Sequence, residues 1–250
     1  DAGTHVFTTD EVSNAYVASY NITNLSNITE ADRTRSIANN GGNGSIPHNT
    51  YFKNNYLYTS YYRDGVVIHD VSDPENMIEV ANFDPTTLSG DGFTNVWGVY
   101  PYFNSGTVII SDMQLGLFVL GATLTQACYI EGTVTDASTT NPILNAEITI
   151  IGEPILDFSD AAGDYKSGFG VAGTYDLAFY KAGYERDTAY GVVLTNGNTV
   201  IANMALTPLV PFTLSGTITE SVTVTPVANA IVEVTNAEYT VNSTTDASGN

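Results

Sequence analysis

An all-β chain is predicted, and three observations predict it. The first is an internal repeat. Ile130-Glu131-Gly132-Thr133-Val134-Thr135, Pro142-Ile143-Leu144-Asn145-Ala146, an alternating segment from Glu147 to Ile150 and the turn Asp160-Ala161-Ala162-Gly163 recur later in the chain. The second copy reads Leu214-Ser215-Gly216-Thr217-Ile218-Thr219, Pro226-Val227-Ala228-Asn229-Ala230, Ile231 to Val234 and Asp246-Ala247-Ser248-Gly249. The offset is 84 residues at the glycine and at the Asn-Ala pair, and 86 at the Asp turn. A repeat this long, with turn chemistry at matching places, describes tandem small β-domains. The second observation is a coarser repeat near 50 residues in the first half, where paired strand-like runs return between turn signals. The third is composition: Tyr, Thr, Asn, Gly and Val are plentiful while Leu, Lys and Glu are few, and no amphipathic helical period is found.

Residues 1–124 hold the coarser repeat. Ala15 to Ile22, Gly65 to Val71 and Gly116 to Leu120 are strand-like, and each follows another strand: Val6 to Thr8, Tyr56 to Ser60 and Val108 to Ser111. Hairpins at this spacing are the signature of β-propeller blades, and fewer blades fit here than a ring needs. The missing ones are expected upstream of Asp1 or from another chain. Residues 125–207 are expected to form one complete sandwich. Its strands are placed near 130–135, 146–151, 155–158, 165–168, 173–180, 190–194 and 199–206, with Cys128 at or before the first. Pro208 and Pro211 flank a stiff linker. Residues 208–250 are the first half of a second sandwich, so the chain reads as a piece of a longer, bead-like polypeptide.

Two family resemblances follow from particular residues. Gly132-Thr133-Val134, Pro142 to Ile148, Asp160 to Tyr165, Gly173 to Leu177 and Lys181-Ala182-Gly183-Tyr184 resemble the carboxypeptidase regulatory-like domain. That resemblance implies a prealbumin-like, Ig-like β-sandwich, an accessory module without the zinc ligands of the enzymes. Thr9-Asp10-Glu11, His48-Asn49, Tyr61 to Gly65, Asp70 to Pro74, Trp97 to Pro101, Ser105-Gly106 and Ser111-Asp112 with Gly116-Leu117 resemble the C-terminal part of choice-of-anchor B proteins, with blades of the LVIVD type. This second resemblance implies a secreted Bacteroidetes-type surface protein exported by type IX secretion.

Charge narrows the partners. Twenty-seven acidic residues face 7 basic ones, for a net charge of −20. Nothing here would neutralise phosphates, which argues against nucleic acid and anionic membranes. An acidic surface suits an extracellular protein and admits Ca²⁺, while the plainer reading is solvation. Cys128 is the single cysteine, so no intrachain disulfide forms. No 18-residue apolar run spans a membrane.

No nucleophile elbow, HExxH, CxxC or P-loop occurs, so the chain reads as a non-enzyme. Asp10, Glu11, His48, Asn49 and Asp112 are expected to converge at the channel of the blades. There they would make an oxygen-rich site for Ca²⁺ or another ligand, or else cap turns through backbone amides. Trp97, Tyr100 and Tyr102 are candidates for a sugar-stacking surface, with strand packing as the alternative. Asp187-Thr188-Ala189 resembles a Bacteroidetes O-glycosylation sequence, placing Thr188 in a polar loop. Asn-X-Ser/Thr triplets at Asn21, Asn24, Asn27, Asn43 and Asn242 read as accidents of an Asn-rich surface.

The functional expectation is extracellular binding or adhesion toward a protein or glycan, with the sandwiches as spacers. Two alternatives stand beside it: a filament or matrix subunit that self-associates through sheet edges, and a secreted hydrolase using the channel.

Overall fold

The computed structural model describes residues 3–39, 44, 46–88, 91–210, 213–235 and 240–250; Asn43 and Pro211 lie outside them. The chain divides into two compact units, Asp1–Pro208 and Leu209–Asn250. Among the described residues no helix is long and apolar enough to cross a membrane.

Three antiparallel meanders open the first unit. β1 (His5–Thr9), β2 (Val17–Asn21) and β3 (Thr29–Thr34) make the first, followed by a 3-10 turn at Ile37–Asn39. β4 (Thr50–Lys53), β5 (Tyr56–Ser60), β6 (Val66–Asp70) and β7 (Ile78–Phe83) make the second, and β8 (Val96–Tyr100), β9 (Thr107–Asp112) and β10 (Gly116–Gly121) the third. Alternation decides how they stack, because successive side chains point to opposite faces. Leu57 and Val67 join Val17, Tyr61, Val71 and Met77 in one core on the β1–β3 side. Tyr58, Val66 and Ile68 face the other way, onto Val96, Val99, Val108 and Ile110.

The same turn closes the corresponding strands. Asn21 Oδ1 accepts from Thr23 N and Oγ1, and Asp70 Oδ1 accepts from Ser72 N and Oγ. Asn54 and Asn55, at φ 53° and 64°, form the tight β4–β5 hairpin that a doubly left-handed turn requires. Among the described residues the three sheets do not close into a ring. Sequence reasoning missed β3, β4, β7 and β8, so the unit of repetition is a meander of up to four strands rather than a hairpin.

The sandwich comprises β11 (Cys128–Asp136), β12 (Glu147–Ile150), β13 (Leu156–Phe158), β14 (Asp164–Phe169), β15 (Gly173–Tyr180), β16 (Asp187–Leu194), β17 (Thr199–Ile201) and β18 (Met204–Leu206). One sheet runs β14-β11-β17 with β18 also on β11, and the other runs β13-β12-β15-β16. Ile130, Val134, Ile148, Ile150, Leu177, Phe179, Leu194 and Leu206 are buried between them. Cys128 begins β11 inside this core, where burial raises its thiol pKa.

The strand expected over 199–206 is two strands, both parallel to β11. At the break, Asn203 Oδ1 accepts from Thr133 N and Tyr165 Oη donates to Ala202 O at 2.6 Å. A Cβ on Gly132 would lie 2.3 Å from Ala202 O, so the close approach requires glycine.

The sandwich is spliced to the second meander. Ala127 N donates to Asp70 Oδ2 at 2.7 Å, and Asn76 Nδ2 donates to Ser167 O at 2.9 Å. Lys166 Nζ lies 3.2 Å from both Asp73 and Glu75, and Ile78 packs with Ala127 and Tyr129. Strand register places this splice beside Tyr56, at the end of the sheet away from Ser60, Val66 and Phe83. Tyr16, Arg33, Arg35, Glu79 and Asp157 are among the residues that line a cavity of about 430 Å³.

The second unit repeats the opening of the sandwich bond for bond. β19 (Ile231–Thr235) and β20 (Thr240–Thr244) pair antiparallel. Ala230 N donates to Thr245 Oγ1 and Thr245 Oγ1 to Val227 O, as Ala146 N does to Ser159 Oγ and Ser159 Oγ to Ile143 O. Asp246 Oδ1 accepts from Ser248 N and Asn250 N, as Asp160 Oδ1 does from Ala162 N and Asp164 N. The two acidic turns are therefore backbone caps, each serving as an Asx-turn.

Candidate functional site

The three meanders converge at the end opposite the splice, and the best-developed side-chain cluster lies there. His48 precedes β4. Its backbone N donates to Ser60 O at 2.8 Å, and Thr9 Oγ1 at the end of β1 donates to His48 O at 2.7 Å. Ser60 Oγ donates to Trp97 O at 3.1 Å, and Tyr62 and Val96 exchange backbone hydrogen bonds. These ties lock the first sheet to the second and the second to the third.

On this frame, Glu11 from the β1–β2 loop meets His48. Glu11 Oε1 lies 2.8 Å from His48 Nδ1 and accepts a hydrogen bond from Tyr62 Oη. The approach to His48 is off the ring N–H direction, so it is a close polar contact and not a hydrogen bond. His48 Nε2 is buried without a hydrogen-bond partner among the described residues. The His48 ring lies 5.0 Å from Trp97 and 5.3 Å from Tyr62, and Tyr62 meets Phe93 edge-on at 5.4 Å. Burial, reinforced by the Glu11 carboxylate, pushes the Tyr62 hydroxyl up to about 12, so it stays a donor. Tyr62 sits at φ 43°, a left-handed conformation uncommon for a bulky residue, which turns its ring back toward Glu11.

The expected convergence is therefore divided. Glu11 and His48 meet. Asn49 adjoins them through its backbone, its carbonyl accepting from Ser60 N. Asp10 is exposed beside Glu11. Asp112 is buried in a turn of its own, where Oδ1 accepts from Gln114 N and Leu115 N at 2.8 and 2.7 Å. Among the described residues no three His, Cys, Asp or Glu side chains group to hold a metal ion.

The aromatic candidates divide too. Trp97 belongs to the His48 cluster, whereas Tyr100 and Tyr102 pair with each other, with Phe103 and with Tyr51, near Lys53. Thr188 is in strand β16, opposite Ala178, and not in a loop. Sequence reasoning missed Phe93 and the role of Tyr62. The one local signal was the aromatic run beside Arg63. Arg63 Nε donates to Thr94 Oγ1 at 2.9 Å, and its guanidinium lies against Gly92, whose φ of 145° favours glycine.

No curated protein matches the chain. Solved structures similar to parts of it include a C-terminal interface mutant of a type II cohesin–X-dockerin complex from Acetivibrio cellulolyticus, at 23% identity and TM-score 0.27, over 31% of this chain and 52% of that one. A candidate carbohydrate-binding protein from Bacteroides uniformis is 13% identical at TM-score 0.26, over 47% and 51% of the two chains. A minor pilin of Streptococcus agalactiae is 12% identical at TM-score 0.28, over 47% and 66%. The chain spans about half the length of the first of these. Residues 129–207, the closed sandwich of β11–β18, match the family model of the carboxypeptidase regulatory-like domain.

Proposed function

We propose that this is a secreted or cell-surface bacterial protein of extracellular binding and adhesion. In this reading the three meanders are successive propeller blades of the choice-of-anchor B type, the Glu11–His48–Trp97 cluster is the ligand site, and the sandwiches are spacers. Export by type IX secretion belongs to the same reading. The observation that carries it is the cluster itself: a carboxylate fixed by two partners among aromatic rings, at the end where three sheets are tied together. Binding residues are commonly held on loops by a rigid scaffold in this way.

The blade reading draws on the repeat. Val66 and Ile68 of β6 are buried beneath the next sheet, whereas Leu117 and Val119, which follow Gly116 as they follow Gly65, are each 65% exposed. That face suits a further sheet of the same kind. Among the described residues β10 has no partner strand on its outer edge, which also leaves room for the filament reading, by strand addition. The hydrolase reading is weaker, because Tyr62 and Trp97, rather than a Ser or Cys nucleophile, accompany Glu11 and His48.

Beads carrying the chain should be retained on a surface of mixed extracellular protein and polysaccharide, and Glu11→Ala should abolish most of that retention. Equal retention of Glu11→Ala beads would remove the site from the reading. Calcium is expected to act by screening the −20 surface. Millimolar Ca²⁺ should raise Tm over the chelated protein by about 3 °C, the equivalent of about 1 kcal/mol at this size. An unchanged Tm removes that role.

A further inference from the structure

Resting on that reading of the site, we propose that its ligand is a neutral glycan, whose sugar rings lie on Trp97 and Phe93 with hydroxyls donated to Glu11. Trp97 is 51% exposed and Phe93 58% exposed, at the two ends of a row of touching rings, Trp97–His48–Tyr62–Phe93. Between them Glu11 is 43% exposed along its side chain. One of its oxygens is held by Tyr62 and faces His48, and the other accepts no hydrogen bond among the described residues. A fixed acceptor beside half-exposed ring faces fits a sugar, which presents C–H groups on one face and hydroxyl donors around its rim.

The arrangement also discriminates. A caged ammonium ligand needs ring faces that converge on one point. Here the rings follow one another in a row and do not converge. Anionic polysaccharides meet a chain of net charge −20.

Both rings are pre-positioned, which lowers the ordering cost of binding. Trp97 lies in β8 with its carbonyl bonded to Ser60 Oγ. Phe93 sits in a loop pinned by Arg63 to Thr94, Thr94 to Asn95, and Asn95 N to Gln114 Oε1.

The test is affinity electrophoresis of the full chain through gels containing β-glucan, mannan, xylan or galactan, with alginate as the anionic counterpart. At least one neutral polymer should retard the protein. Trp97→Ala and Phe93→Ala should each weaken retardation at least tenfold, Trp97→Phe should restore part of it, and Tyr190→Ala on the sandwich should leave it unchanged. Thermal melting of each variant separates lost binding from lost fold. Retardation by none of the neutral polymers, retardation by alginate alone, or equal retardation of a folded Trp97→Ala protein overturns the inference. If beads still hold to a protein surface in a Glu11-dependent way while the glycans fail, the site stands and only its ligand class is wrong.

Discussion

Phe179→Ala is expected to destabilise the sandwich by about 4 kcal/mol, the cost of removing a fully buried aromatic ring from a core that relaxes only in part. Phe179 lies in β15 and is fully buried. Its ring meets Tyr165 of β14 at 5.8 Å, nearly edge-on, so the pair joins the two sheets through the core. Tyr165 in turn anchors the β17–β18 break through its hydroxyl. Phe179→Leu keeps much of the volume and should cost about 1 kcal/mol.

The readout can be placed elsewhere. Trp97 is the single tryptophan and belongs to the third meander. If the Asp70, Asn76 and Lys166 contacts couple sandwich and sheets, the Trp97 fluorescence transition in urea moves to lower denaturant in Phe179→Ala. A loss below 1 kcal/mol by near-UV circular dichroism would show that the core is not assembled as described. A Trp97 transition that stays put would show that the splice does not couple the two.

The second large effect is on pH. Burial raises Glu79 from its ordinary 4.5 to about 7, although Ile37 N donates to its Oε2 at 2.7 Å. Asp157 in β13, across the same cavity, is raised by burial from 3.8 to about 6. Asp32 is raised as well, again chiefly by burial, against the hydrogen bonds it accepts from Met77 N and Arg33 N.

The sign follows from proton counting. A folded-state pKa above the unfolded value means that the folded chain holds more protons in between. Stability is therefore fully present below about 4, and falls as pH rises through about 6 and about 7. Glu79→Gln removes that ionisation while keeping an oxygen for Ile37 N. It should be about 2 kcal/mol more stable than the natural chain at pH 8 and nearly equal to it at pH 4.5. A natural chain that melts higher at pH 8 than at pH 5, or a Glu79→Gln chain without advantage at pH 8, would contradict this account.

The sandwich was the easiest part to read from sequence. Alternation from Glu147 to Ile150, glycine and Asp turns and the tandem copy leave few other pairings, because a one-residue slip would expose the core. The meanders were half legible. β5, β6 and β9 alternate or run apolar, but β3, Thr29–Thr34, is polar on both sides and gives no period. Glu11 and His48 were found because charged residues near strand ends are few in this chain. Phe93 gives no such signal, because a pinned loop brings it in; Tyr62 stands out in sequence as one of several tyrosines, but its contact with Glu11 depends on a left-handed turn. Asp70 closes a local turn with Ser72 through one oxygen. The partner of its other oxygen, Ala127 N, is 57 residues away, and no local pattern reports it.

The register that sets the splice beside Tyr56 and the cluster beyond Ser60 has a geometric result. Among the described residues the sandwich bonds to the second meander at its Tyr56 end, through Asp70, Asn76 and Lys166. In the proposed reading that makes it a handle for the sheets, joined at the end of β5 opposite Ser60 and its bond to Trp97. A graft on the β1–β2 or β5–β6 turn, which carry Glu11 and Tyr62, is the change expected to obstruct the cluster.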